Sequence, residues 1–276
     1  MTKFDEAHLD WLADLLASSA TQEIMPRFRH LKRGDVRRKS SAADLVTEAD
    51  LAAERLIARR LKERYPGALV AGEEACSADP GLLGGLVGAE LAFVVDPLDG
   101  TYNFASGVPL FGVMLAVVVS GETVAGLVHD PVGGDWLIGV RGGGAFLRSP
   151  DRTLVPLRVA DPVNVSAMIG SVAWQFMPPP DRALLARNQS KCLSHVGYRC
   201  AAHEYRLLAS GHAHFAVYNR LMPWDHLAGT LIHGEAGGFA ARFDGSRYTP
   251  AHIDGGLIAA PDRESWRQLR EELWAD

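Results

Sequence analysis

Apolar positions in the first quarter of the chain follow a helical spacing on both sides of a basic segment. Four leucines recur at helical intervals near the N-terminus, which predicts a helix over residues 4–29. Residues 31–41 carry five basic side chains and no apolar periodicity, so a basic loop with room for a short strand is expected there. A second helix is predicted over residues 47–64, and Pro66-Gly67 would end it.

Two short apolar runs then end in acidic residues. Residues 68–71 precede Gly72-Glu73-Glu74, and residues 91–95 precede Asp96. Such runs are typical of buried strands, and layered α/β proteins build sites at the carboxyl ends of neighbouring strands. We therefore expect these acids to lie at one edge of a sheet.

The remaining pattern predicts strands first and then an alternation of strands and helices. Runs at 111–119, 124–128 and 136–140 are separated by turn residues, as in an antiparallel meander. Beyond them, strands near 168–171 and 215–217 alternate with helices. These helices are predicted near 181–187, 200–210, 224–235 and 264–274. The fold class is therefore α/β (α+β), with an α+β half over 1–154 that carries most candidate ligands and an α/β half over 155–276.

Composition excludes several classes of protein. The 276 residues are 47% hydrophobic and 22% charged, as in an ordinary globular protein. A net charge of -5 argues against a nucleic-acid polymer as partner. The three cysteines match no zinc pattern, the N-terminus is acidic rather than signal-like, and no apolar stretch would span a bilayer. We expect a reduced cytoplasmic protein that does not associate with membranes.

The segment from Asp96 to Thr101 carries the most informative chemistry. Asp96 ends an apolar run, Asp99 follows three residues later, and Gly100 lets a ligand approach the backbone closely. Carboxylate oxygens beside a helix N-terminus would suit a divalent cation and a phosphate. Taken alone, the segment could equally cap a turn and a helix. The acids at Glu73 and Asp225, each at the end or start of an apolar element, favour the metal interpretation.

Four motifs in this order resemble the inositol monophosphatase family of Mg²⁺-dependent, lithium-sensitive sugar phosphatases. They are Asp44-Leu-Val-Thr47-Glu-Ala-Asp50 with Lys39 before it, Gly72-Glu73-Glu74, Asp96-Pro-Leu-Asp99-Gly-Thr101-Tyr-Asn103-Phe, and Trp224-Asp225-x-x-Ala228-Gly229. The resemblance covers residues 39–238. It implies a layered α/β/α/β/α sandwich that forms a homodimer and acts as a phosphomonoesterase on a small polyol, sugar or nucleotide phosphate.

The resemblance also implies a ligand set for two Mg²⁺ ions. Glu73, Asp96 and the carbonyl of Leu98 would bind the first ion. Asp96, Asp99 and Asp225 would bind the second, with Asp96 bridging. Some members of the family use a third ion near Glu73.

Further roles carried over from the family concern the attacking water and the phosphate. Glu73 and Thr101 would position a water that Mg²⁺ activates, and Asp50 would hydrogen-bond Thr101. The amides of Gly100 and Thr101 would hold the phosphate. Lys39 would close over the phosphate, or else remain a solvated loop charge.

The leaving-group pocket departs from the family pattern. Tyr218 stands where inositol-specific members have a Glu, and a phenol cannot replace a carboxylate that accepts from two vicinal hydroxyls. Arg199-Cys200 replaces a Gly-Ser pair, and we expect Arg199, Glu204 and Tyr218 to wall this pocket. The thiol of Cys200 would be acidified by a helix N-terminus or would be unreactive.

Several alternatives stay open from the sequence. The enzyme alternatives are a 3'(2'),5'-bisphosphate nucleotidase, a fructose-1,6-bisphosphatase and a histidinol phosphatase of the same family. The non-enzyme alternative is a regulatory interaction protein that retains the fold.

Overall fold

The computed structural model describes residues 4–32, 34–39 and 44–275, so Arg33, Ser40 and Ser41 of the predicted basic loop lie outside the described residues. The helices are α1 (Glu6–Ser19), α2 (Glu48–Arg64), α3 (Glu73–Ala78), α4 (Gly81–Gly85), α5 (Thr101–Ala105), α6 (Pro179–Asn188), α7 (Ala201–Ala209), α8 (Pro223–Glu235) and α9 (Arg263–Leu273). The strands are β1 (Val36–Arg38), β2 (Leu45–Thr47), β3 (Leu69–Gly72), β4 (Leu91–Asp99), β5 (Gly112–Val119), β6 (Glu122–Asp130), β7 (Asp135–Val140), β8 (Gly144–Arg148), β9 (Leu154–Pro156), β10 (Ile169–Val172), β11 (Ser194–His195), β12 (Phe215–Tyr218), β13 (Phe239–Arg242) and β14 (Leu257–Ala260).

The strands form two large sheets and one short hairpin. The larger sheet has the order β3-β4-β5-β6-β7-β8-β9, and every neighbouring pair is antiparallel except β3 and β4. The smaller sheet has the order β11-β10-β12-β14-β13, in which β10 runs parallel to β11 and β12. The predicted meander is therefore confirmed as β5, β6 and β7, and β1 pairs with β2 in the separate hairpin.

Alternating side chains of the larger sheet face two different helical layers. Phe93 and Val95 of β4 pack into one apolar core with α1 and α2. Val94 of the same strand and Ala116 of β5 point the other way, into a core that includes α7 and α8. This alternation is the period of two that a pleated strand imposes.

The smaller sheet covers the opposite side of α7 and α8. Ala216 of β12 faces these helices, whereas Val217 faces a third core built with α6 and α9. The layers are thus helix, sheet, helix, sheet and helix. The predicted α/β/α/β/α sandwich is confirmed.

Glycines in two strands let α8 lie unusually close to the larger sheet. A Cβ on Gly126 of β6 would lie 2.7 Å from the carbonyl oxygen of Ala228, and one on Gly139 of β7 would lie 2.9 Å from the Cα of Ile232. Real side chains do not tolerate such separations. The close approach fixes α8, and with it the first turn that carries Asp225.

One sequence prediction of a strand limit needs correction. The strand predicted to stop at Asp96 continues as β4 to Asp99, because Asp99 pairs with Gly112 after an irregularity in the register. Strand β9, which pairs with β8, lies where the two predicted halves meet. None of the described helices combines the length and apolar character needed to cross a membrane.

Candidate active site

A cavity of about 200 Å³ opens at the carboxyl ends of β3 and β4. It is formed by the turn after β4, the starts of α3, α7 and α8, and the end of β12. Most of the side chains predicted for the site line it. These are Glu73, Asp96, Leu98, Asp99, Gly100, Thr101, Arg199, Glu204, Tyr218 and Asp225.

Three carboxylates meet on one wall of this cavity. Oxygens of Asp96, Asp99 and Asp225 all lie within 4.8 Å of one another. Asp96 is 2% exposed, and its Oδ1 accepts a hydrogen bond of 2.9 Å from the amide of Leu98. Asp225 enters from the first turn of α8, where Pro223 starts the helix without needing a backbone donor. Sequence reasoning predicted that these acids share a site, and the fold brings them together across 129 residues of chain (225 − 96).

Burial makes this cluster electrostatically unfavourable without a cation. Loss of solvation, reinforced by the charges of Glu73, Asp99 and Asp225, raises the pKa of Asp96 well above its ordinary value. Burial and the charge of Asp99 likewise raise the pKa of Asp225. A donor set made only of hard oxygens fits Mg²⁺, whose charge would remove this repulsion.

The start of α7 holds the third carboxylate in place. The amide of Ala202 donates to Asp99 Oδ2 at 2.5 Å, and Cys200 Sγ lies 3.1 Å from the same oxygen. Burial and the charge of Asp99 raise the pKa of the Cys200 thiol well above its ordinary value. The structure therefore favours the unreactive thiol over the acidified one.

Glu73 at the start of α3 is paired with a cation from the basic segment. Lys39 Nζ lies 2.8 Å from Glu73 Oε1 and 2.5 Å from Glu74 Oε1. Burial disfavours the charged amine, but the two carboxylates outweigh it and raise the pKa of Lys39. Lys39 is thus paired with Glu73, which lines the cavity, and with its neighbour Glu74.

Glu54 is a residue of this region that sequence reasoning missed. Its two carboxylate oxygens accept the amides of Glu74 and Ala75 at 2.8 Å each, which anchors the first turn of α3. Gly72 is required beside it, because a Cβ there would lie 2.3 Å from the Glu54 carboxylate. A buried Glu on α2 facing a Gly-Glu-Glu turn has no local sequence signal, since 20 residues separate the partners.

Asp50 connects the start of α2 to Thr101. Its Oδ2 accepts the amide and the hydroxyl of Thr47, which makes a capping box. Its Oδ1 lies 2.9 Å from Thr101 Oγ1, which is also 3.0 Å from the carbonyl of Leu98. Burial raises the pKa of Asp50 to about 7, although the hydrogen bonds from Thr47 and Thr101 oppose the shift.

Gly100 shapes the turn between the acids and α5. Its φ of +87° lies in the left-handed region that favours glycine. A Cβ would also lie 2.8 Å from the carbonyl oxygen of Leu110 and 3.2 Å from Cys200 Sγ. The turn therefore brings the Thr101 hydroxyl to the cavity only because residue 100 has no side chain.

The opposite wall is a hydrogen-bonded group centred on Glu204. The hydroxyl of Tyr218 donates to Glu204 Oε2 at 2.9 Å, and Ser171 Oγ donates to the same oxygen at 3.2 Å. The amide of Tyr198 donates to Oε1 at 3.2 Å. Burial raises the pKa of Glu204 to about 7. Ser171 and Tyr198 were not predicted, because they reach Glu204 only through the packing of β10 and the start of α7.

Cationic and aromatic side chains form the rim of the cavity. The guanidinium carbon of Arg199 lies 3.9 Å from the ring centroid of Tyr102. Arg220 and Phe176 are exposed on the same rim, which also includes Asp44. His226 is neutral behind it, because burial lowers its pKa to about 4.

Comparison with known proteins agrees with this geometry. Residues 6–276 match the model of the inositol monophosphatase family. The chain is 33% identical to the Nus factor SuhB of Haemophilus influenzae, over 84% of this chain and 85% of that protein. It is 32% identical to the histidinol-phosphatase of Chlorobaculum parvum, over 78% of each. The IMPase structure from Thermotoga maritima superimposes with a TM-score of 0.78 at 26% identity, over 97% of this chain and 95% of that one. The chain therefore belongs to the inositol monophosphatase family.

Proposed function

We propose that the protein hydrolyses the phosphate ester of a small polyol, sugar or nucleotide in a reaction that depends on Mg²⁺. That it is a phosphatase of phosphoric monoesters follows from its membership of a metal-dependent family. The observation that carries the proposal for Mg²⁺ is the meeting of Asp96, Asp99 and Asp225 in a cavity that Glu73 and Thr101 also line.

We expect this donor set to hold two ions. Glu73, Asp96 and the carbonyl of Leu98 would hold the first, and Asp96, Asp99 and Asp225 the second. A third ion near Glu73, as some members of the family use, would be compatible with the carboxylate of Glu74 beside it. When bound, Mg²⁺ supplies Lewis acidity, which neutralises charge on the phosphate and makes water a better nucleophile near neutral pH.

The chain's own residues orient the reacting groups. When the Thr101 hydroxyl donates its proton to Asp50, its lone pairs remain to accept a hydrogen bond from the attacking water. Glu73 accepts the proton that this water loses. The amides of Gly100 and Thr101 bind the phosphate oxygens, and Lys39 moves from Glu73 and Glu74 toward the phosphate.

Further features of the protein are part of the same proposal. We expect a cytoplasmic homodimer that binds no nucleic-acid polymer. Its two halves, 1–154 and 155–276, contribute most of the metal ligands and the leaving-group pocket respectively. The enzyme alternatives remain the nucleotidase, the fructose-1,6-bisphosphatase and the histidinol phosphatase, and the Chlorobaculum parvum relative is a histidinol-phosphatase by name.

The test is the release of inorganic phosphate from a panel of phosphate esters with and without Mg²⁺. We expect Mg²⁺-dependent release that Asp96→Asn abolishes, while Asp151→Asn, an exposed aspartate outside the cavity, leaves it unchanged. Calorimetric titration with Mg²⁺ should show weaker binding by the Asp96 variant. Folded protein that binds Mg²⁺ but releases phosphate from no ester would contradict the proposal.

One relative favours a second function. A Nus factor of the same family shares 33% identity with this chain, so a regulatory role through a protein partner is the non-enzyme candidate. In cells that lack this protein, an Asp96→Asn variant that rescues the phenotype as well as the native protein does would favour that role. Rescue by the native protein alone would favour catalysis.

A further inference from the structure

The wall that faces the leaving group presents no free carboxylate from Glu204. Three protein donors bind its two oxygens, namely the Tyr218 hydroxyl, the Ser171 hydroxyl and the Tyr198 amide. A carboxylate has about four acceptor positions, so most of its capacity is used inside the protein. Glu204 therefore lines the cavity with little acceptor capacity left for a ligand.

Tyr218 presents a neutral oxygen in place of that charge. Its hydroxyl proton is already donated to Glu204, so the phenol can offer only lone pairs to a ligand. Two adjacent hydroxyls of a polyol would compete for this single weak acceptor. This wall therefore gives little binding energy to a neutral polyol.

Two arginines, Arg199 and Arg220, line the cavity together with Glu204 and Tyr218. Arg220 is exposed on the cavity. Its charge reaches the site, since it opposes the rise in the pKa of Asp225 that burial and Asp99 cause. Arg199 stands on the same rim, held over the ring of Tyr102. The carboxylate of Asp44 also lines the cavity, so the two arginines face an acid there as well as the proposed metal ligands.

We propose that the leaving group of the substrate carries a second anionic group, a phosphate or a carboxylate, which Arg220 and Arg199 bind at the rim. This inference rests on the proposed phosphomonoesterase function and specifies its substrate class. Guanidinium groups bind both anions through paired N–H donors. Neutral polyol phosphates, inositol phosphate included, are then poor substrates.

Matched substrates that differ only in the second anion test this inference. One pair is fructose 1,6-bisphosphate and fructose 1-phosphate, and another is 3-phosphoglycerate and glycerol 1-phosphate, with inositol 1-phosphate as a further neutral ester. Phosphate release is measured with excess Mg²⁺ at constant ionic strength. We expect kcat/KM at least about ten-fold higher for the anionic member, the size typical of hydrogen bonds to charged groups. A preference in the first pair identifies a phosphate, and one in the second pair identifies a carboxylate.

Variants of the rim separate recognition from chemistry. Arg220→Gln should raise KM for the preferred anionic ester about ten-fold more than it raises KM for the neutral partner, and any effect through Asp225 should be shared by both esters. Arg199→Gln should act in the same direction. Arg55→Gln changes an exposed arginine of α2 outside the cavity, and it should leave kcat/KM unchanged for both esters of a pair.

The results also distinguish this inference from the proposed function. Equal or better hydrolysis of the neutral members, or an equal effect of Arg220→Gln on both, would overturn the inference and leave the phosphatase intact. No release from any ester would overturn the proposed function and this inference with it.

Discussion

Asp50 shows how one side chain serves both the fold and the site. One of its oxygens caps α2 through Thr47, and the other binds the Thr101 hydroxyl. The motif from Asp44 to Asp50 predicted a link to Thr101 by resemblance. The shared carboxylate explains this link physically, because the capped end of α2 cannot move without moving Thr101.

At Thr101 we predict a loss of activity without a loss of fold. Thr101→Val keeps the shape of the side chain but removes the hydroxyl that hydrogen-bonds to Asp50 and to the carbonyl of Leu98. Since positioned acid–base groups contribute about 10²–10⁴ in rate, kcat should fall by about that factor. Thr101→Ser retains the hydroxyl and should retain most activity. Phosphate release and thermal unfolding measured on both variants check this, and full activity of the valine variant would contradict it.

At Glu204 we predict a stability difference that depends on pH. Burial raises its pKa from 4.5 to about 7. Between these values the unfolded chain has released a proton that the folded protein keeps, so the free energy of unfolding falls as pH rises. Glu204→Gln does not titrate and should gain up to about 3 kcal/mol relative to the native protein between pH 5 and pH 8.

Denaturant unfolding in the presence of a chelator measures this difference. Glu63→Gln on the exposed face of α2 is the control for the change in net charge. Burial lowers the pKa values of His226 and His233 to about 4, which makes the free energy of unfolding rise with pH. This contribution is the same in Glu204→Gln and in the native protein, so it cancels in their difference. A difference that stays constant over this pH range would show that Glu204 is not buried as described.

Helix α8 sets the spacing between the layers. Gly229 faces α7, and a Cβ there would lie 2.0 Å from the ring of Tyr205. Gly126 and Gly139 allow the opposite face to approach the larger sheet. The Ala-Gly pair of the Trp-Asp motif therefore has a packing reason besides its nearness to Asp225.

Two glycines of α8 give a matched test of this packing. Gly229→Ala should lower the free energy of unfolding by about 1–3 kcal/mol through overpacking. Gly234→Ala, in the same helix with nothing within 4 Å, should raise it by about 0.5–1 kcal/mol because alanine favours helix. Urea unfolding of both variants measures the difference. Equal effects would show that the contact with Tyr205 is not tight.

Element prediction succeeded where the pattern was long and failed where it was short. The predicted helices correspond to α2 and α6 to α9 with small changes at their ends. The helix predicted over 4–29 is α-helical only through Ser19, after which a π-helical turn (Ala20–Ile24) and a 3₁₀ turn (Met25–Arg27) continue it. Strands β8, β9, β11, β13 and β14 were not predicted. They are two to five residues long, and their pairing with distant strands, rather than local periodicity, defines them.

The cavity draws on both sheets of the molecule. Asp96 and Asp99 come from β4 of the larger sheet, and Tyr218 comes from β12 of the smaller one. Asp225 and Glu204 come from the helices packed between them. Any ligand that binds these acids therefore ties the two sheets together.

For the whole molecule we predict that Mg²⁺ raises the thermal midpoint. An ion that binds only the folded state at 100 times its Kd contributes about 2.7 kcal/mol, which corresponds to a rise of about 5 °C or more in a chain of this size. The rise should be larger at pH 8 than at pH 5, because burial raises the pKa values of Asp96, Asp99 and Asp225 and protonated carboxyls do not bind the ion.

Calorimetric scans with and without Mg²⁺ at both pH values test this prediction. Asp225→Asn should lose most of the rise, whereas Asp151→Asn should keep it. A midpoint that Mg²⁺ leaves unchanged in the native protein would contradict the prediction.

The sequence by itself determined the long helices, the meander, the layered fold through its family motifs, and which acids gather at the site. These depend on local periodicity and on short motifs, which act within a few residues of one another. Only the tertiary structure decided that Cys200 and Ala202 hold Asp99, that Lys39 pairs with Glu73, and that Tyr218 binds Glu204. The first of these contacts joins residues 101 positions apart. Such contacts arise from the packing of two sheets on shared helices, which no local pattern encodes.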